Sequence, residues 1–161
     1  MKKVLLIISI GLISILGHSQ TSDCKSISKE VDEFDGKITF RAEVTPISSK
    51  NMVSFIKYKN NETVRFYLSM YIAESDIYTG KGAYIILNNG EKIIKPSQKV
   101  GYKLLGSQFY TKAFIRLTDE DLALLKESGI KKFKLYISTG EFSDKDSDKS
   151  KELINCLISA E

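Results

Sequence analysis

Two cysteines, an arginine–tyrosine stripe and a scatter of carboxylates are the residues of this 161-residue chain that could do chemistry. Cys24 and Cys156 form an even pair, which in an oxidising compartment reads first as a disulfide. Closing so long a loop restricts the unfolded chain, and the chain-entropy model allows at most ~5 kcal/mol of stabilisation for it. Cys24 could instead carry a lipid at a processed N-terminus. Thr21-Ser22-Asp23 before it lacks the Leu-small-small pattern of such sites, and an acid directly before the cysteine argues against it. Free, reactive thiols are the third reading, and they fit poorly with Cys156, which shares a helical face with Leu153 and Leu157 and is expected to be buried.

Arg65, Tyr67 and Tyr71 lie on one side of an alternating run, Thr63–Ala73, whose other side carries Val64, Phe66, Leu68, Met70 and Ile72. Rings beside a guanidinium can stack on a sugar or anchor a protein partner. The plainer expectation is that a helix or second strand layer covers them. Asp144-Lys145-Asp146-Ser147-Asp148 places acids at alternate positions, as a calcium loop does. Lys149 stands where that loop needs glycine and Asn155 where it needs glutamate, so a solvated loop ahead of a helix capped by Asp148 or Ser150 is expected. Tyr78-Thr79-Gly80-Lys81-Gly82 lacks phosphate-loop spacing and leads into a strand, so it reads as a turn or bulge. No metal or cofactor motif is present. Twenty acids will always supply some pair within reach after folding, so paired carboxylates for glycoside hydrolysis are a weak signal.

The N-terminus says where these residues operate. Lys2 and Lys3 precede an apolar run, Val4–Leu16, and Gly17-His18-Ser19 gives the small-x-small pattern of a signal-peptidase site. The run is shorter than the ~20 residues of an ordinary membrane span. Residues 1–19 are therefore expected to be a cleaved signal peptide, leaving residues 20–161 as a single β-rich domain, secreted or periplasmic, with no membrane span. Cleavage removes His18, the only histidine, from a chain that already has no tryptophan. Imidazole-dependent nucleophiles and histidine-ligated zinc are then impossible. Lys2 and Lys3 leave as well, lowering the net charge of +4 by two. The remaining cations are scattered along the sequence, which argues against the clustered footprint of a nucleic-acid binder.

The periodicity places the candidates on strands. Ile38–Val44 alternates cleanly, residues 52–59 follow, and Asp35-Gly36 and Asn60-Asn61 mark turns. Residues 27–34 suit the preceding strand of a hairpin. Ala83–Leu87 and Glu91–Lys95 read as a hairpin across Asn88-Asn89-Gly90 with a type I′-like turn. Residues 100–105 and 108–117 add strands, the latter separating Phe109, Ala113, Ile115 and Leu117 from Tyr110, Lys112, Phe114 and Arg116. Thr118 caps a short helix with Asp121 three residues on, and Gly129 is expected to stop it. Phe133, Leu135 and Ile137 mark a last strand, and Lys151–Ser159 a C-terminal helix. About seven or eight strands without alternating helices predict a mainly β fold of antiparallel sheets, sandwich-like or a curved half-barrel. One short helix precedes the last strand and another ends the chain.

The signal ending in Gly-His-Ser-Gln, the Lys-, Ile- and Asn-rich body, and the stretches Ile85–Ile93 and Phe114–Leu122 resemble small exported proteins of the Bacteroidota. The resemblance runs through structural residues, so it transfers no activity. The expectation is a soluble, non-catalytic binding or structural module whose partner is another envelope protein or a glycan, and not a nucleic acid. Its rivals are a carboxylate-based glycan hydrolase and a carrier of an apolar ligand.

Overall fold

The computed structural model describes residues 24–46 and 51–161. The signal-peptide reading of residues 1–19 lies outside them. Nine strands form one antiparallel sheet: β1 (Ser28–Val31), β2 (Ile38–Val44), β3 (Met52–Asn60), β4 (Thr63–Glu74), β5 (Gly80–Leu87), β6 (Lys92–Leu105), β7 (Gln108–Arg116), β8 (Ile130–Leu135) and β9 (Ser138–Glu141). Helix α1 (Asp119–Glu127) precedes β8, and α2 (Asp144–Ser159) ends the fold. The spatial order is β1-β2-β3-β4-β7-β6-β5-β8-β9. The chain thus leaves β4, skips two places, and fills them on its way back, which sets β7 beside β4 although 33 residues of β5, β6 and turns intervene between Glu74 and Gln108.

The sheet curls into a half-barrel, and the sandwich alternative falls because a single sheet does the work of two. The curl is tight enough for Ser138 on edge strand β9 to donate a hydrogen bond to the Thr111 hydroxyl on β7 at 3.3 Å, with both residues buried. Helix α2 lies in the concavity against β2, β3 and β8. Phe55, Leu68, Met70, Ile85, Phe133 and Leu153 are among the side chains that meet there with under 2 % exposure. Burying each contributes roughly 1.5–3 kcal/mol.

The far end of α2 is fastened three ways. Cys24 and Cys156 form a disulfide with Cα atoms 5.5 Å apart, which removes the lipidated and free-thiol readings of Cys24. Lys57, buried on the concave side of β3, donates to the carbonyls of Ile158 (3.0 Å) and Ala160 (2.6 Å). The ammonium thereby satisfies acceptors that a helix C-terminus leaves open. Burial, and then Lys59, pull the Lys57 pKa below its ordinary value, while Glu161 opposes them. Lys29 donates to the Glu161 carbonyl at 2.9 Å.

Several local expectations change in the folded chain. Residues 91–95 and 100–105 belong to one strand, because Pro96 sits beside a register shift between Lys81 and Ala83 where its missing N–H costs no ladder bond. That shift is the expected bulge, and Gly82 occupies it at φ +106°. The turn after β5 is not type I′. Only Gly90 has positive φ, and the Gly90 N–H bonds to the Leu87 carbonyl at 3.0 Å, as in a type I turn followed by a left-handed glycine. A ninth strand, β9, follows the expected last one. The Asp144–Asp148 segment is the start of α2, capped by Ser143 rather than by Asp148 or Ser150, so its acids splay around a helix instead of converging on an ion. Helix α1 carries a full capping box between Thr118 and Asp121, and ends at Ser128 in extended backbone. Gly129 therefore does not stop it by a left-handed turn. It is needed because a Cβ there would lie 1.9 Å from the Ser147 carbonyl oxygen of α2.

Candidate functional site

Strand alternation puts every second side chain on the convex side of the sheet, away from α2. The register identifies them: Tyr58 on β3; Arg65, Tyr67, Ser69 and Tyr71 on β4; Tyr110, Lys112, Phe114 and Arg116 on β7; Lys99 and Lys103 on β6. The expected covering layer over Tyr67 and Tyr71 is absent among the described elements, since both helices pack on the concave side. Each ring is half-buried by its neighbours on the sheet surface alone, and Arg65 is exposed. Beneath them Ile56 is 2 % exposed, flanked by its cross-strand partners Arg41 and Tyr67.

Three rings form a continuous stack. Tyr58 meets Tyr67 edge-on with centroids 5.3 Å apart, and Tyr67 lies nearly parallel to Phe114 at 4.8 Å and 15°. Lys37 holds its ammonium 4.6 Å from the Tyr58 ring centroid. The rings floor an open cleft of about 780 Å³. Two turns wall it. The β1–β2 turn brings Asp35 and Lys37, shaped by Gly36 at φ +68° and by the Asp35 carboxylate accepting the Lys37 N–H at 2.9 Å. The β3–β4 turn brings Asn60, Asn61, Glu62 and Thr63, with Asn61 in the left-handed region that asparagine tolerates. Apolar ring faces below and short amides, hydroxyl, acids and bases around the rim can hold a ligand with both flat and polar parts.

The sequence-predicted face is divided by the structure. Arg65 and Tyr67 line the cleft. Tyr71 lies further along β4, 6.4 Å from Tyr110 and outside the cleft. Tyr58, Phe114, Lys37 and the turn residues were not anticipated as its companions. Phe114 and Arg116 had been placed on one row of their strand, but only the β4–β7 pairing brings that row beside Tyr67. A second depression, about 530 Å³, runs from Arg65 and Arg116 to Asp119 and Glu120 at the start of α1. The Glu120 carboxyl is held below its ordinary pKa, first by its own backbone N–H and then by the Thr118 hydroxyl. Among the described residues, no group of three or more His, Cys, Asp or Glu side chains is placed to hold a metal ion. No protein-family model, curated protein or solved structure matches the chain.

Proposed function

We propose that this chain is an exported, non-catalytic module, periplasmic or secreted, that binds another macromolecule of the cell envelope through the convex face of its sheet. The observation that carries this reading is the Tyr58–Tyr67–Phe114 stack, open to solvent in a walled cleft on the side of the sheet opposite the core. Phe114 is 40 % exposed, and folding alone gives no reason to line up rings there. Export is supported by the signal-like character of residues 1–19 and by the disulfide, a bond suited to oxidising compartments. No described helix is long and apolar enough to cross a membrane. The apolar-carrier reading loses ground because α2 and tightly buried side chains occupy the concavity where a ligand would sit.

The hydrolase reading keeps one supporting observation: Asp35 and Glu62 line the same cleft. One experiment addresses both. The purified, oxidised protein is expected to sediment with envelope fragments of its source cells, and a Tyr67→Ser/Phe114→Ser variant to remain in the supernatant. The variant should melt within about 5 °C of the parent, since the rings lie on the side of the sheet opposite the filled interior and Ile56 is outside that cluster. Equal sedimentation of the two proteins would defeat the module reading. Release of reducing sugar ends from those fragments, abolished in Asp35→Asn/Glu62→Gln, would replace it with the hydrolase.

A further inference from the structure

The convex face carries a second pattern, larger than the cleft. Direct cross-strand neighbours repeatedly pair an aromatic ring with a cation: Tyr58 with Arg65, Tyr67 with Arg116, Tyr71 with Lys112, and Tyr110 with Lys103. Alternate strands exchange the order, so rings and charges interleave across β3, β4, β7 and β6. Lys103 reaches over β7 to lie 5.9 Å from the Tyr71 centroid. Lys99 adds a further exposed cation on the same side of β6.

The acids stand around this face rather than on its three central strands. Strands β6 and β7 contain none, and the only one on β4, Glu74, is opposite Phe109 on the concave side. Glu43 sits out on β2, where it accepts from Ser54 and lies 3.9 Å from Arg41. Asp35 and Glu62 stand on the cleft rim, and Asp119 and Glu120 beside Arg116. None of Arg65, Lys99, Lys103, Lys112 or Arg116 makes an ion pair among the described residues, whereas Lys95, Lys149 and, further round the sheet on β8, Lys132 are each paired. A chain of nearly balanced composition has therefore gathered unpaired positive charge on one side of three adjacent strands. Such a field favours an anionic partner.

We propose that this face binds an acidic polysaccharide, with its charged groups against Arg65, Arg116, Lys112 and Lys103 and its sugar rings on Tyr67, Phe114 and Tyr71. The inference rests on the module reading above and names its ligand class. Cations alone would suit an acidic protein, but the rings set beside each cation provide flat apolar surface that an acidic peptide leaves unused. Single-stranded nucleic acid could use both rings and charges. The disulfide suits the oxidising compartment of the module reading, where envelope and extracellular glycans are polyanions within reach.

Isothermal titration of the full, oxidised protein at low salt would use four probes: polygalacturonate, neutral dextran, polyglutamate and oligothymidylate. Polygalacturonate is expected to bind, to weaken as salt rises, and to exceed the other three by about tenfold or more. A variant carrying Arg65→Gln, Lys103→Gln, Lys112→Gln and Arg116→Gln should lose about tenfold or more in affinity, with an unchanged circular-dichroism spectrum. Tyr67→Ser/Phe114→Ser should lose comparable affinity while keeping every cation. Tightest binding to oligothymidylate or polyglutamate would overturn the inference, as would no binding to polygalacturonate or an unaffected charge variant. If that happens while Tyr67→Ser/Phe114→Ser still abolishes envelope sedimentation, the ligand class fails and the module reading stands. If sedimentation is also indifferent to the rings, both fail.

Discussion

The two sides of one sheet are built on opposite terms. On the concave side strands β2 to β8 give side chains to a filled interior, and α2 is fixed by a disulfide, by Lys57 on its terminal carbonyls and by close contact at Gly129. On the convex side rings lie half-open, and the cations of β4, β7 and β6 stand without acidic partners. The first arrangement accounts for stability. The second adds little to it, because exposed cation–ring pairs contribute only about 0.5–1 kcal/mol each and like charges on neighbouring strands repel. A surface that folding does not require, yet is organised, is where a binding function is to be sought.

The comparison would break if stability depended equally on the two sides. The largest loss is expected from Cys24→Ala/Cys156→Ala, which frees the start of the chain from α2. A cost approaching ~5 kcal/mol, or a melting temperature lower by about 10 °C or more, should appear in thermal denaturation. Reductant should reproduce it in the parent and leave the variant unchanged. Next comes Gly129→Ala, whose added methyl would collide with backbone rather than with a side chain that can rotate away. It should cost about 1–3 kcal/mol in urea unfolding without altering any convex-face binding. The smallest effect falls where the two sides meet, at the start of α1. The Glu120 carboxyl has its pKa lowered by its backbone N–H and Thr118, so its contribution to stability is full above the ordinary value of 4.5 and is lost as pH falls through its folded value. In Glu120→Gln that part of the acid-side decline should vanish, a slight flattening of the melting temperature against pH.

How much of this could be read from the residues follows the same division. The alternation of Ile38–Val44 and Thr63–Ala73 identified the concave face because burial leaves a period of two in the sequence. The cysteine pair and the Thr118 cap were legible for local or compartmental reasons. The curved half-barrel was one of two architectures the pattern allowed, and the choice against a sandwich was not legible, since it depends on β9 reaching β7. Asp144–Asp148 misled because a run of charges carries no apolar stripe, although Ser147 and Ser150, both buried in α2, hold the inner face of its first turns with small residues. Ser150 receives the Ile130 N–H at 2.8 Å, a contact that only the folded helix can make. For the candidate site, Arg65 and Tyr67 were found on their own strand. Phe114, Arg116, Lys112 and Lys103 could join them only after the skipped connection from β4 set β7 and β6 alongside. A pattern written across strands has no period along any one of them.

The sulfur bridge has a further consequence for wear. Every turn between the strands lies inside the ring it closes, which runs from Cys24 to Cys156. A protease that clips any one of those turns opens the ring into two segments still joined covalently, and sheet pairing keeps the ends in place. A single cut would leave the sheet in one piece, with its outer strands still in register.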